Sequence, residues 1–287
     1  LAGVPRAAIV FNPIAGRHPA RRRRQRDQLC EALKRRGWVF TDERPEIVLV
    51  CGGDGTLHRV LREHMRGDPG ARPVLALAPP LGTANVLAHA LGVPHGPDTA
   101  AAWLDRAWAA GPRQLRVGVA EFDSERRYFL SMAGVGYDAF VVQTVAENAK
   151  RRWGKWAIAA RAAQAWRSYF PAPLELDCDP FRADSLIFSL TSFYAGRMRL
   201  GSMPAEGPLV LALSGAPRLL VAQALSLLTR GLDRAPGVVR CPCRVVSVST
   251  AGRPVQLDGE PAGTSPIRLS LHPDAIPFLA PSLTPEP

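Results

Sequence analysis

A doubly wound α/β domain followed by a mainly β-sandwich domain is the fold class this sequence predicts. Three observations carry it. Before residue 92, short apolar runs end three times in a small-residue turn that opens a helix. A Gly111-Pro112 step then breaks the pattern. Beyond it lie short alternating runs separated by turn residues, as a sandwich or closed sheet requires. The expected domains are residues 1–112 and 113–287, with the last residues returning to pack on the first domain.

The elements follow in order. Residues 7–11 read as a buried strand, left through the turn Asn12-Pro13-Ile14-Ala15-Gly16, where proline ends the strand. Residues 19–36 form a helix with Leu29, Cys30 and Leu33 on one face, closed by Gly37. Its first turns hold Arg21, Arg22, Arg23, Arg24 and Arg26, read either as a solvated face or as a contact for lipid phosphates. Residues 39–41 make a short second strand and residues 47–50 a third, which ends in Cys51-Gly52-Gly53-Asp54-Gly55-Thr56-Leu57 before another helix. Residues 73–78 are a further buried run, ending in Pro79-Pro80-Leu81-Gly82-Thr83-Ala84-Asn85 ahead of a helix at 86–91. A helix at 98–110 completes this half. The expected strands beyond it are 115–121, 128–132, 174–176, 186–190, 209–213, 245–248, 254–257 and 267–271. Helices at 139–169 and 218–230 interrupt them, and the proline-rich end after Leu279 reads as loose.

The turn at Gly52 carries the first chemical signal. Glycines allow backbone N–H groups to approach an anion closely, and a helix start adds partial positive charge. In a doubly wound sheet, ligands sit beyond the carboxyl ends of the strands. The turns at Asn12, Gly52 and Gly82 therefore line one edge, a stronger signal than any one of them.

Composition sets bounds. With 47% hydrophobic and 21% charged residues, the chain suits a soluble fold, and no apolar run is long enough to span a bilayer. A net charge of +11, nearly all of it arginine, favours a polyanionic partner without choosing one. No nucleic-acid recognition motif accompanies the arginines, so no nucleic-acid partner is expected. The five cysteines are scattered, and Cys241-Pro-Cys243 lacks zinc-ligand spacing, so all read as reduced thiols of a cytoplasmic protein.

Five motifs in order then bring a family into view. They are Asn12-Pro13-x-x-Gly16, Gly52-Gly53-Asp54-Gly55-Thr56, Pro80-x-Gly82-Thr83-x-Asn85, Gly134-x-Gly136-x-Asp138-Ala139 and Asp258-Gly259-Glu260. The set resembles the diacylglycerol-kinase-like lipid kinases, which include sphingosine and ceramide kinases, and above all their two-domain bacterial members. The resemblance implies an α/β nucleotide domain, a β-sandwich lipid domain and an active site in the cleft between them. The implied reaction passes the γ-phosphoryl of ATP to a lipid hydroxyl with Mg²⁺, diacylglycerol being the leading acceptor.

Carried over by residue, the resemblance assigns Gly52, Gly53, Asp54, Gly55, Thr56 and Leu57 to the ATP phosphates, with His58 beside them. Thr83 becomes a second phosphate or ribose contact and Thr41 a third, while Asn12 holds the edge of the site together. Glu260, with Asp258 beside it, becomes the proton acceptor for the lipid hydroxyl, since an alcohol attacks phosphorus poorly until a carboxylate takes its proton. Read without the family, Asp258-Gly259 is a β-turn between strands. Three departures stand out. His58-Arg59-Val60 replaces the usual Asn-Glu-Val, the link from Trp38 to Glu46 is short, and Glu206 occupies the place of an Asp in the family's structural Mg²⁺ site.

On the lipid side, Lys150, Arg151, Arg152, Trp153, Lys155 and Trp156 have the composition of a contact with an anionic membrane surface, or of a solvated helix with its tryptophans packed on the sheet. The expectation is a cytoplasmic protein touching the inner membrane face peripherally, its oligomeric state open. Two rival classes remain: a non-catalytic nucleotide- or lipid-binding relative, and an NAD kinase, whose Gly-Gly-Asp-Gly-Thr element is shared but whose other turns match poorly.

Overall fold

Strands buried on both faces need apolar side chains throughout, and the first half of the chain supplies them. The computed structural model describes residues 3–13, 19–81, 85–144, 172–177 and 183–281. The chain forms two compact units, Leu1–Arg116 with Asp274–Pro287, and Val117–Pro273.

In the first unit, β1 (Arg6–Phe11), β2 (Val39–Phe40), β3 (Ile47–Cys51), β4 (Val74–Leu77), β5 (Arg113–Leu115) and β18 (Ile276–Leu279) form one sheet in the order β2-β1-β3-β4-β18-β5. All neighbours are parallel except β5, which runs antiparallel to β18. The expected strand over 115–121 is thus two strands. Its first residues belong to this sheet, because β5 finds its partner in β18 near the chain's far end.

Helix α1 (Pro19–Lys34) and helix α2 (Asp54–Arg66) cover opposite faces. Arg26 of α1 lies 4.8 Å from the Phe11 ring centre, whereas Val60 and His64 of α2 line a cavity with Val10 and Val48. Phe11 and Val10 are adjacent, and adjacent strand residues point to opposite faces. Short α3 (Val86–Ala90) follows β4, and α4 (Pro97–Ala110) packs against α1. Trp38 ties the helix layer together, its indole N–H donating to Asp105 at 2.7 Å and its ring 6.2 Å from Trp108.

The second unit is built from β6 (Gly118–Glu121), β7 (Arg126–Phe129), β8 (Met132–Val135), β9 (Ser185–Ser189), β10 (Phe193–Tyr194), β11 (Met198–Arg199), β12 (Leu209–Leu213), β13 (Val238–Cys241), β14 (Val245–Val248), β15 (Pro254–Leu257), β16 (Glu260–Thr264) and β17 (Ile267–Leu271). A six-stranded antiparallel sheet, β13-β12-β9-β8-β15-β16, faces a four-stranded one, β14-β17-β6-β7. Phe129, Phe188, Val246, Leu257 and Leu269 from the two sheets share one buried core, so this unit is a sandwich. The back of the larger sheet buries Met132, Ile187 and Leu211 beneath Leu232 and Leu227, the latter from α6 (Pro217–Leu228).

Two sequence readings change here. The run expected at 128–132 is the junction of β7 and β8, and the run at 174–176 makes only one bridge, Leu176 to Val248. The long helix expected at 139–169 begins as α5 (Tyr137–Thr144); residues 145–171, with the tryptophan-rich basic stretch, lie outside the described residues.

Candidate functional site

The register of β1, β3 and β4 decides which loops meet. Phe11 lies opposite Cys51 and Val50 opposite Leu77, so Asn12, Gly52 and Ala78 leave the sheet at nearly one level. The third turn is tied back by Leu81, whose N–H donates to the Gly52 carbonyl at 3.1 Å. Helix α2 starts directly at Asp54, with Gly53 as an extended N-cap that offers no side-chain acceptor. The helix therefore begins with no side-chain acceptor from its cap residue, and that end attracts negative charge.

Each glycine there has its own reason. Gly52 supplies room: a Cβ would stand 2.6 Å from the Thr56 side chain folded over it. Thr56 is 4% exposed, and its hydroxyl has no hydrogen-bond partner among the described residues. Leu57 is buried beneath, anchoring the helix start.

One residue of this edge was not singled out for its own role from the sequence. Arg22, in the first turns of α1, is 8% exposed, and its Nη1 has no partner among the described residues. Burial pushes its pKa down from the usual guanidinium value. One turn further, Arg26 stacks on Phe11, the last residue of β1. Neither is a plain solvated cation. The signal lies in the sequence: Arg22, Arg26, Leu29 and Leu33 fall at helical spacing on one stripe.

Other sequence-assigned residues fall elsewhere. Thr41 follows Phe40, which pairs with Ala7, so it stands level with Ala8, three residues short of the end of β1. That separation is about 10 Å along the strand. The short link after Trp38 makes β2 only two residues long, and the Thr41 hydroxyl accepts from the Glu43 N–H at 3.1 Å in a local turn. His58 is half-buried on α2. Arg59 points its charge down the helix to Glu63 at 3.4 Å on the exposed face, not back to the loop. Thr83 lies outside the described residues.

In the second unit, Asp258 and Gly259 form the tight turn between β15 and β16, with φ of 51° and 82°. Positive φ at both central residues is the geometry that Asp-Gly accommodates best. The turn reading is what the backbone shows. The Asp258 carboxylate accepts the N–H groups of Leu130, Ser131 and Met132 at 2.8, 2.7 and 3.0 Å. Both its oxygens accept backbone N–H groups, so the carboxylate holds the turn to residues 130–132. Glu260, two residues on, is exposed and has no hydrogen-bond or ion-pair partner among the described residues.

Behind the turn lies a buried polar cluster. Asp138 of α5 accepts from the Tyr194 hydroxyl and, at 2.8 Å, from the Gln256 Nε2. Burial raises the Asp138 pKa, and the bonds from Tyr194 and Gln256 oppose that rise. Tyr194 is pushed well above its ordinary value, first by burial and then by the Asp138 charge. Gly134 and Gly136 make the cluster possible. A side chain at Gly134 would collide with the Asp138 carboxylate, and one at Gly136 with the Asp184 backbone oxygen.

Glu206 stands apart. It pairs with Arg244 on the surface, their side chains 72% and 69% exposed. No group of three or more His, Cys, Asp or Glu able to hold a metal ion occurs among the described residues. A carboxylate already paired with a guanidinium fits a hard-cation site poorly.

Known proteins fit this architecture. The family model for the diacylglycerol kinase catalytic domain matches residues 18–110. A probable lipid kinase of the YegS-like type from Pseudomonas putida is 30% identical over 245 residues, covering 83% of this chain and 78% of that protein. One from Pseudomonas fluorescens is 29% identical over 236 residues, covering 80% and 75%. The crystal structure of a diacylglycerol kinase from Bacillus anthracis superposes with a TM-score of 0.63 at 16% identity, covering 96% of this chain and 97% of that one. The last likeness speaks for the fold alone. The sequence matches, extending over most of both chains, show that the chain belongs to the diacylglycerol-kinase-like lipid kinases, a family of phosphotransferases.

Proposed function

We propose that the protein transfers the γ-phosphoryl of ATP to the hydroxyl of a lipid, with diacylglycerol or a related lipid alcohol as acceptor. The observation that carries this reading is the buried Arg22 guanidinium, whose Nη1 has no partner among the described residues, on the helix that follows the β1 edge, together with α2, which starts without a side-chain cap. A buried cation without a partner is costly, and an anion such as a phosphate group at that edge compensates it. The Thr56 hydroxyl, also without a partner among the described residues, adds a donor suited to a phosphate oxygen.

In the proposed reaction, Glu260 accepts the proton of the lipid hydroxyl as its oxygen attacks the γ-phosphorus. The bond from phosphorus to the bridging oxygen breaks, and ADP leaves carrying the electron pair. The acceptor hydroxyl has to reach both Glu260 and the γ-phosphate during turnover. Mg²⁺ brought in with the nucleotide would neutralise charge on the transferring group; no role is assigned to Glu206. Contact with an anionic membrane surface follows from the need to draw the acceptor from a bilayer.

The test is transfer of label from γ-labelled ATP into lipid in mixed vesicles, with ATP binding measured alongside. Glu260→Gln is expected to lower transfer by about 10²-fold or more while sparing ATP affinity. Arg22→Met is expected to weaken ATP binding about ten-fold with the fold intact. Near-normal turnover by Glu260→Gln removes the base assignment. Label in NADP instead of lipid overturns the acceptor class, and ATP binding without any transfer favours a silent relative.

A further inference from the structure

Gln256 raises a question that the reaction above leaves unanswered. It is 1% exposed, in a strand whose inward neighbours Val255 and Leu257 are wholly apolar. Burying a carboxamide there is unfavourable unless both its ends are bonded. Both are. Its Oε1 accepts the Gly259 N–H at 2.7 Å, and its Nε2 donates to Asp138 Oδ2 at 2.8 Å. The orientation is not arbitrary: a backbone N–H can only donate, so the oxygen must face Gly259 and the amino group must face Asp138.

The fold is shaped around this contact. Gln256 lies opposite Gly134 in the β15–β8 register, and the absent side chain at Gly134 is what lets the Asp138 carboxylate reach across. The pairing of β15 with β16 shifts register between Val255 and Gln256, directly before the turn. Asp138 is held from its other side by Tyr194 of β10. A continuous relay, buried at Asp138 and Gln256, therefore runs from Tyr194 to the Gly259 N–H, one residue from Glu260.

We propose that Gln256 is a positioning residue: through this relay it fixes the Asp258-Gly259 turn so that Glu260 presents its carboxylate in one orientation to the acceptor hydroxyl. The inference rests on the proton-acceptor reading of Glu260. The Asp258 clamp onto residues 130–132 holds the turn from one side and the Gln256 relay holds it from the other. Fully satisfied buried polar groups specify one arrangement of their surroundings more sharply than apolar packing does.

The relay's polarity supplies a test that a merely structural role does not pass. In Gln256→Glu, one oxygen still accepts from Gly259, but the other meets the Asp138 carboxylate. Two carboxyl groups in that contact must share a proton or repel. The titratable groups shown beside Asp138 are Tyr194 from β10 and Tyr137, its neighbour on α5. Neither of these is a cation, so among the described residues they do not relieve the repulsion. Relative to wild type at each pH, Gln256→Glu is expected to lose about ten-fold or more in kcat at pH 8 with ATP KM unchanged, the loss shrinking toward pH 6. Asp138→Asn combined with Gln256→Glu restores donor to acceptor with the direction reversed, and is expected to recover kcat to within about three-fold and abolish the pH slope. Hydrogen exchange at the Gly259 N–H reads the relay without activity: faster in the single variant at pH 8, protected again in the double one.

Wild-type kcat in Gln256→Glu across this pH range, no recovery in the double variant, or unchanged Gly259 exchange overturns the inference. Glu260→Gln run in parallel separates the two readings. If it retains turnover, the proton-acceptor reading falls and the positioning role falls with it. If it is inactive while Gln256→Glu is normal, only the positioning role falls.

Discussion

At the scale of single residues, burial decides what a side chain can do. His64 shows it apart from any function. It is 8% exposed on α2, lines a cavity of about 310 Å³ with Arg72, and its Nε2 has no partner. Burial first, and the Arg72 charge second, push its pKa down to about 4. An unfolded histidine takes up its proton near pH 6.5, so between there and pH 4 the unfolded chain binds a proton that the folded one refuses. Stability is therefore lost as the pH falls through that window. Urea unfolding at pH 7 and pH 5 is expected to show wild type losing about 1–2 kcal/mol more than His64→Gln over that interval. Equal losses would place the depressed pKa elsewhere. The same principle separates Asp258 from Glu260. They stand two residues apart, yet one carboxylate is consumed by three backbone N–H groups and the other is exposed.

At the scale of elements, the β15–β16 hairpin is the clearest case of one short sequence serving two purposes. Asp-Gly at its tip satisfies the turn, and the Asp258 side chain stitches that tip to the start of β8. Leu130, Ser131 and Met132 are all buried, so without Asp258 their N–H groups have no water to turn to. Asp258→Ala is expected to cost on the order of 3 kcal/mol, with Asp258→Asn losing less because one carbonyl oxygen remains. Thermal unfolding of the two variants measures this, and equal stability for Ala and Asn would show that the clamp contributes little. Helix α1 carries the complementary lesson. Its stripe of Arg22, Arg26, Leu29 and Leu33 looks broken by charge, yet Arg26 lays its guanidinium over Phe11 and Arg22 is buried.

At the scale of the whole molecule, the chain's order and its units do not coincide. β18, near the C-terminus, pairs with β4 on one side and β5 on the other, and buries Ile276, Phe278 and Leu279 completely. A chain ending at Pro273 is expected to lose the first unit's sheet while the second keeps its own. Limited proteolysis reads the outcome: rapid cutting within residues 6–116, with a resistant fragment from the second unit. Equal resistance of both units would show that β18 is dispensable. Among the described residues, no helix is long and apolar enough to cross a membrane.

What the sequence determined by itself was local. Apolar runs that stay apolar mark β3 and β4, and the small-residue turns after β1, β3 and β4 mark the edge where the phosphates are proposed to sit. Five motifs in order marked the family. These signals lie within a few residues of the atoms that they organise, so periodicity and turn chemistry expose them. Only the tertiary structure decided the remainder: that residues 113–115 join a sheet through a strand at 276–279, that Thr41 falls short of the edge, that Arg22 is buried, and that Asp138 and Gln256 meet over Gly134. Each depends on groups far apart in the chain, joined by strand register and by the bonding demands of buried polar atoms. A polar residue in sequence looks the same whether it will face water or a partner 118 positions away; burial distinguishes them, and burial belongs to the folded chain.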